Sequence, residues 1–186
     1  MQVPEGWKKH SFGELVKLKS EKLNKSNLQN GKFKFSIELD NIAQGSGKII
    51  GKTDISQVLS TKNIFRKNDV LYGKLRPYLK KYANPDFEGV CSTEIWVLTA
   101  KKPVVLNKYI FLLIQTHNFN IQANITSGTK MPRASWEIVS QWDIPLPPLA
   151  EQEKIAEILS TWDDAIEQTE RLKTNAEMHK KALMQQ

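Results

Sequence analysis

The chain has 186 residues, a length that fits one domain or one domain with an appendage. Hydrophobic residues make up 40% of it and charged residues 25%, an ordinary globular mix that excludes a wholly disordered chain. The 27 Lys and Arg outnumber the 20 Asp and Glu, which gives a formal net charge of +7.

The apolar runs and the cysteine count indicate the cellular compartment. The longest apolar run covers residues 109–114, far short of the ~20 residues that cross a bilayer. No stretch of signal-peptide type follows the basic residues near the N-terminus. Cys91 is the single cysteine, which excludes an internal disulfide and suits a reducing environment. We therefore expect a soluble, cytoplasmic protein.

Strand patterns dominate the first hundred residues. Apolar and polar residues alternate over 33–39, which predicts a half-buried strand. The β-branched and apolar residues over 90–98 predict a second, more buried strand. A short strand at 70–72 is expected to run into Gly73.

Helical and turn patterns follow. Residues 105–117 predict a helix with Asn107 as its N-cap, and residues 127–133 hold enough turn formers to predict a loop. Together with the strands, these patterns predict that residues 1–148 form one mixed α/β (α+β) domain.

A domain boundary is expected at the proline-rich segment 144–149. Residues 149–186 contain no Gly or Pro, so they predict one long helix of coiled-coil type. Apolar side chains recur there at near-heptad spacing, and Thr169 interrupts one row. The residues that we assign to a helix interface are Ile155, Ile158, Leu159, Trp162, Ile166 and Leu172.

Even thirty-six residues of helix would be ~54 Å long, too long to fold back along a small domain over their whole length. It is therefore expected to pair with another helix, although packing of its first half on its own domain is the alternative.

Charge divides at the same boundary. Residues 1–148 hold 22 basic and 12 acidic side chains, whereas residues 149–186 hold 5 and 8. This asymmetry suggests a basic domain that faces a polyanion and a helix that faces protein. The alternative is that a lysine-rich surface aids solubility.

Catalytic patterns are weak throughout. Cys91 and His117 could form a nucleophile pair, but a lone strand cysteine is usually a buried apolar residue. Asp86 and Glu94 resemble a nuclease carboxylate pair, yet Trp96 stands where such sites place lysine. The histidines lack metal-ligand spacing, and no glycine-rich phosphate motif is present. The sequence predicts no catalysis, metal or cofactor for this chain.

Five motifs resemble the specificity (S) subunit of type I restriction–modification systems, and they occur in that family's order. They are residues 4–7 (PEGW), 69–78 (DVLYGKLRPY), 91–94 (CSTE), 127–132 (SGTKMP) and 144–152 (IPLPPLAEQ). The resemblance implies a non-catalytic subunit in which a target-recognition domain reads a DNA half-site and a long helix spaces it from a second such domain. It also implies methyltransferase (M) partners that use S-adenosylmethionine and a motor-nuclease (R) subunit.

Family members usually carry two recognition domains and two long helices, whereas this sequence has one of each. It is either a natural half-subunit or a piece of a longer one. If half-subunits pair through their helices, a two-fold antiparallel homodimer reading an inverted repeat is the simplest arrangement.

DNA contacts are predicted on basic and polar loops. Our candidates for phosphate contact are Lys74, Arg76, Lys80, Lys81, Lys130 and Arg133. Our candidates for base reading are Asn41, Gln44, Ser46, Lys48 and Lys52. In the structural alternative, Arg76 forms an internal salt bridge and Tyr78 lies in the core. Residues 92–94 are expected to stabilise the sheet or a turn and not to contact DNA.

The leading rival function is a coiled-coil adaptor whose basic domain binds RNA or an acidic protein. It retains the charge division and the helix but lacks a preference for a particular DNA sequence. An enzyme with unrecognised catalytic residues ranks last.

Overall fold

The computed structural model describes residues 3–24, 33–101, 103–127 and 130–185. Mixed α/β structure precedes one long helix in it, which confirms the predicted fold class. In these ranges no helix combines the length and the apolarity that a membrane crossing requires.

The strands within these ranges are short. They are β1 (Lys8–Ser11), β2 (Val16–Lys19), β3 (Lys22–Leu23), β4 (Phe35–Ile37), β5 (Thr53–Asp54), β6 (Lys62–Phe65), β7 (Val70–Gly73), β8 (Tyr82–Ala83), β9 (Gly89–Ser92), β10 (Ile95–Ala100), β11 (Thr126–Ser127), β12 (Arg133–Ala134) and β13 (Asp143–Leu146).

The α-helices are short except for the last. They are α1 (Phe12–Leu15), α2 (Asn107–Leu113), α3 (His117–Ala123), α4 (Trp136–Val139) and α5 (Leu149–Leu183). Single 3-10 turns cover Leu39–Asn41, Ile55–Gln57 and Pro77–Leu79.

Two main sheets form the body. One is antiparallel with strand order β2-β10-β7-β8, and the other has the order β3-β6-β9-β4-β5 with β4 parallel to β9. Two smaller pairs join β1 to β13 and β11 to β12. The β1–β13 pair brings the N-terminal segment beside the strand that leads into α5.

Strand β10 is buried on both faces because it lies between two apolar layers. Trp96 and Leu98 pack among residues of α1 to α4, whereas Ile95 and Val97 pack among residues of both sheets. Alternate side chains of a strand point to opposite faces, so residues 95–98, which are covered on both faces, are all apolar. The body is therefore built of helices, a four-stranded sheet and a five-stranded sheet.

An aromatic cluster joins the short helices. The Phe12 ring on α1 lies 5.5 Å from Phe119 on α3, 6.0 Å from Trp136 on α4 and 6.1 Å from Trp142, centroid to centroid. Tilted and edge-on pairs of this kind add to the free energy of burial. This cluster holds helices that would be too short to form alone.

The strand predictions were partly wrong. The strand at 70–72 is confirmed as β7, but only β4 forms within 33–39. The single strand expected over 90–98 is two strands, β9 and β10, which belong to different sheets. The turn between them is closed by the Glu94 N–H, which donates to Ser92 Oγ at 3.2 Å.

The predictions for the next segment also needed correction. The helix expected over 105–117 ends at Leu113, and α3 follows it. Leu106 occupies the N-cap position, because Asn107 Oδ1 instead accepts from the Ala100 N–H at 2.6 Å. The prediction of a loop over 127–133 is wrong at both ends, because Ser127 and Arg133 belong to β11 and β12, which pair as a hairpin.

The long helix is confirmed, with Pro148 at its N-cap. Its first turns pack on the body through Gln152 and Ala156, which are buried, and Ile155, which is half-buried against the main core. The expected interface residues beyond Ala156 are exposed. Burial against the domain, the alternative considered for the first half of the helix, thus extends for about two turns, and farther along the exposed pair Lys48–Glu170 still joins the helix to the body.

Candidate nucleic-acid interface

The segment that joins β7 to β8, residues 74–81, carries four of the predicted phosphate contacts, and we call it the basic loop. Arg76 and Lys80 flank its 3-10 turn and adopt left-handed backbone conformations, with φ of 51° and 49°. Side chains other than glycine adopt this conformation rarely and at an energetic cost, so neighbouring structure must hold it. The loop therefore has a fixed shape and is not a flexible tether.

One support for the basic loop is the β11–β12 hairpin. The Arg76 N–H donates to the Pro132 carbonyl at 2.8 Å, and the Ala134 N–H donates to the Lys74 carbonyl at 2.9 Å. A β-bridge also pairs Leu75 with Arg133. The hairpin and the basic loop thus form one continuous backbone surface.

The other support is a turn at residues 43–48, which we call the glycine turn. Its Gly45 N–H donates to the Lys80 carbonyl at 3.0 Å, and Tyr82 Oη donates to the Gly45 carbonyl at 2.9 Å. Gly47 has φ of 72°, and a β-carbon there would lie 2.8 Å from the Phe111 ring, so glycine is required. The glycine turn is in this way fixed against both the basic loop and α2.

These contacts bring together three segments that are far apart in the sequence. Four of their cations form no ion pair with any residue that the structure describes: Lys74, which is half-buried, and Arg76, Lys80 and Lys130, which are exposed. The salt bridge that the structural alternative gives to Arg76 is thus not formed within the described ranges, and Tyr78 is exposed, not in the core. The other two tyrosines of this region, Tyr72 and Tyr82, are buried.

The remaining predicted cations have partners within the chain. Arg133 forms a two-pronged pair with Glu94 at 3.0 and 3.2 Å, and the hydrogen bond and charge of Glu94 raise the pKa of Arg133. Lys81 Nζ donates to the Leu39 carbonyl at 2.7 Å, and Lys48 Nζ lies 2.9 Å from a carboxylate oxygen of Glu170 on α5. A DNA contact by any of these three would compete with an existing interaction.

Lys52 lies apart from the basic loop. Its ammonium group stands 4.3 Å from the centre of the Phe87 ring and 6.0 Å from that of Phe35, beside a cavity of about 260 Å³. Asn41 is also occupied, since its Oδ1 accepts from the Glu38 N–H and from Thr53 Oγ1. Both residues stay predictions as base readers.

The glycine turn places the other base-reading candidates at the surface. Gln44 is exposed, and a β-bridge pairs its backbone with Lys81. Ser46 is exposed too, and its Oγ accepts from the Lys48 N–H at 3.4 Å. These side chains lie next to the basic loop, so a duplex bound by that loop would be within their reach.

Sequence reasoning missed the roles of Glu94 and Tyr82. Glu94 neutralises Arg133 from 39 positions away, and Tyr82 fastens the glycine turn from 37 positions away. No local pattern signals either contact.

Two of the catalytic candidates, Cys91 and Glu94, are buried or already paired. Cys91 is fully buried, and desolvation raises the pKa of its thiol, which makes it a poor nucleophile. Glu94 is occupied by Arg133. Across the described part of the chain, no three His, Cys, Asp or Glu side chains are grouped to hold a metal ion.

An apolar surface follows α5 away from the body. A groove of about 390 Å³ lies between α2 and α5, and its apolar lining includes Tyr109, Leu112, Ile155, Leu159 and Trp162. Trp162, at one end of this groove, is 66% exposed. Further along the helix, Ile166 and Leu172 are exposed as well. A patch of this kind on a helix is typical of an interface with another helix.

Comparison with known proteins gives a consistent result. The family model described as "Type I restriction modification DNA specificity domain" matches residues 4–178. The EcoDI specificity subunit of Escherichia coli is 28% identical over 171 residues, which cover 89% of this chain and 37% of that protein. The HindI specificity subunit of Haemophilus influenzae is 26% identical over 95% of this chain and 39% of that protein. The chain therefore spans about two fifths of these curated relatives.

Solved structures agree with the sequence relatives. The HsdS subunit of Thermoanaerobacter tengcongensis superposes with a TM-score of 0.76 at 27% identity, over all of this chain and 49% of that one. The S subunit of M. genitalium superposes with a TM-score of 0.59 at 18% identity, which supports the fold alone.

Proposed function

Because the chain belongs to the family of type I restriction modification DNA specificity domains, we propose that it reads one half-site of a bipartite DNA target and positions methyltransferase subunits there. The observation that carries this proposal is the convergence of the basic loop, the hairpin and the glycine turn into one rigid surface. A preformed surface loses little entropy on binding.

Within that surface, the roles divide between cations and polar side chains. Lys74, Arg76, Lys80 and Lys130 have no competing ion pair in the described ranges, so they are the best candidates to bind phosphates and set the register on the duplex. Gln44 and Ser46 are the candidates to read base edges. Each good base contact gives about 1–3 kcal/mol of discrimination, so a few contacts discriminate weakly alone.

Weak discrimination by one domain makes assembly important. The exposed apolar side chains of α5 and the α2–α5 groove suit a second α5, and two copies related by a two-fold axis would read an inverted repeat. The same surfaces could dock M subunits, which would carry S-adenosylmethionine, with an R subunit completing a nuclease. The chain itself would contribute recognition and no catalysis.

Selection from randomised duplexes tests the proposal directly. The full chain, incubated with and without M subunits, should enrich a short sequence, and should enrich it as an inverted repeat if two copies pair. Equal affinity for all duplexes and for RNA would reject DNA reading and favour the adaptor function.

Multi-angle light scattering tests the pairing. The full chain is compared with a chain that ends at Ser160, which retains the buried Gln152 and Ala156 and so leaves the body covered. A dimer that becomes a monomer on truncation supports self-pairing. A monomer in both cases would reject the homodimer and leave a different chain as the partner of α5.

A further inference from the structure

A buried amide lies at the junction between the body and α5. Gln152 has no exposed surface, although it stands in the first turn of a helix that is otherwise mostly solvated. Its Nε2 donates to the Pro147 carbonyl at 2.9 Å and to the Val104 carbonyl at 3.1 Å. Its Oε1 accepts from the Leu106 N–H at 3.1 Å. One side chain thereby joins the helix, the proline-rich segment before it and the segment before α2.

A polar contact restricts the helix in a way that apolar packing does not. The neighbouring Ile155 and Ala156 contribute burial, which is non-directional and tolerates small rotations. Hydrogen bonds weaken steeply as they bend, and a buried polar group that loses its partner is costly. Any rotation of α5 that withdrew Gln152 would break its hydrogen bonds to two carbonyls and an N–H, and the bond to the Pro147 carbonyl is fully buried.

The other polar contacts between α5 and the body lie in solvent. Trp7 Nε1 donates to a carboxylate oxygen of Glu151 at 3.1 Å, and Lys48 pairs with Glu170 far along the helix. Exposed pairs of this kind contribute little. Gln152 is therefore the strongest polar restraint on the helix among the described residues.

The length of α5 amplifies any change at this junction. The helix has 35 residues, which corresponds to about 52 Å. Rocking it by about 10° at its base would move its far end by roughly 9 Å relative to the body, a distance of two to three base pairs along DNA. A helix of this length can set a fixed distance between its two ends and their partners only if its direction relative to the body is fixed at its base.

We infer that Gln152 is a positioning residue whose buried amide fixes the direction in which α5 leaves the recognition domain. The consequence for DNA, that Gln152 limits which spacings between half-sites are accepted, rests on the proposed function. The direction of the helix does not, and it can be measured without DNA.

Distance measurement by pulsed electron paramagnetic resonance tests the direction. Nitroxide labels are attached to full-length chains carrying Lys67→Cys in the body and Asn175→Cys on α5, since both positions are exposed. The native Cys91 is fully buried and would stay unlabelled. Labelled protein is diluted into an excess of unlabelled protein, so that only distances within one chain are recorded.

The test variant is Gln152→Met, which retains the length of the side chain and removes its amide. The control variant is Val90→Ala, which creates a cavity in the five-stranded sheet. We expect a narrow distance distribution in the parent, a width at least about twofold greater in Gln152→Met, and the parent width in Val90→Ala. If Gln152→Met does not fold, Gln152→Asn, which withdraws the amide by one carbon, should broaden the distribution in the same way.

Three results would overturn the inference: a broad distribution in the parent, an unchanged width in the Gln152 variant, or equal broadening in Val90→Ala. A panel of duplexes with altered spacing is the second readout, and Gln152→Met should accept spacings that the parent rejects. If no variant binds DNA while the distances behave as expected, the proposed function fails and the positioning role stands.

Discussion

Apolar side chains of the same types are buried in the body and exposed on the distal part of α5. Trp96 in β10 is 7% exposed between aromatic neighbours, whereas Trp162 on α5 is 66% exposed. Leu98 is fully buried, and Leu172 is 69% exposed. Apolar side chains thus stabilise the fold in one region and stay available for a partner in the other. An apolar pattern becomes a core only where the chain can return to cover it.

The body and α5 also differ in charge. The body carries the surplus of basic residues and presents them on the basic loop, while α5 is mildly acidic around its apolar stripe. Lys48 and Glu170 form a salt bridge across the two regions. One region is therefore suited to a polyanion and the other to protein.

The largest effect is expected from removing a central ring of the body. Phe12→Ala should lower the free energy of unfolding by about 3–5 kcal/mol, because Phe12 is fully buried among three aromatic rings. Urea unfolding followed by tryptophan fluorescence measures it. Ile50→Ala, at a site that is 68% exposed in the same body, is the control and should change stability by less than about 0.5 kcal/mol. Equal losses in both variants would contradict the core described here.

The second effect concerns association, not folding. Trp162→Ala should weaken self- or partner association by about 2 kcal/mol or more, a factor of roughly 30, because exposed aromatic anchors dominate such interfaces. The melting temperature of the body should be retained. Sedimentation equilibrium over a dilution series measures the association, with Lys173→Ala on the same helix as the control. An unchanged dissociation constant in the Trp162 variant would remove this residue from the interface.

The third effect concerns DNA. Lys74→Ala combined with Arg76→Ala should lower affinity and make its dependence on salt shallower by about 1.8 in log–log slope, the value for two phosphate contacts. Fluorescence anisotropy at several salt concentrations measures the slope. The matched control removes two exposed cations elsewhere, with Lys67→Ala and Lys108→Ala. If both double variants retain the parent slope, the basic loop is structural.

The smallest effect tests a cation that has a partner. Glu94→Gln should release Arg133, steepen the salt dependence by up to about 0.9 and raise DNA affinity a few-fold, with little change in melting temperature because the pair is exposed. Glu88→Gln, which also removes a carboxylate paired with an arginine, should leave affinity nearly unchanged. Equal gains in the two variants would mean that net charge alone is responsible.

Local pattern was sufficient for the fold class and for α5. The prolines before residue 149 and the absence of Gly and Pro after it specify a helix start and an uninterrupted helix without reference to the rest of the chain. The β7 strand was also predictable, since it ends at Gly73 as its sequence suggests. Motifs of the family added the recognition role, which periodicity alone does not contain.

Local pattern failed where a side chain's partner is distant in sequence. Residues 90–98 look like one strand because both halves are apolar, and only pairing with β6 and β7 separates β9 from β10. Lys74 and Arg133 look like equivalent cations in the sequence, yet Glu94 forms a salt bridge with Arg133 and not with Lys74. Gln152 resembles a surface helix residue until its carbonyl partners are seen.

The sequence therefore determined the fold class, the β7 strand, the long helix α5 and which part of the chain is basic, because helix and strand propensities depend on residues a few positions apart. Which cations remain unpaired, which segments build the candidate surface and how α5 leaves the body depend on contacts spanning tens of residues. Such contacts form only when the two sheets and the short helices close on one another, so the tertiary structure alone sets them.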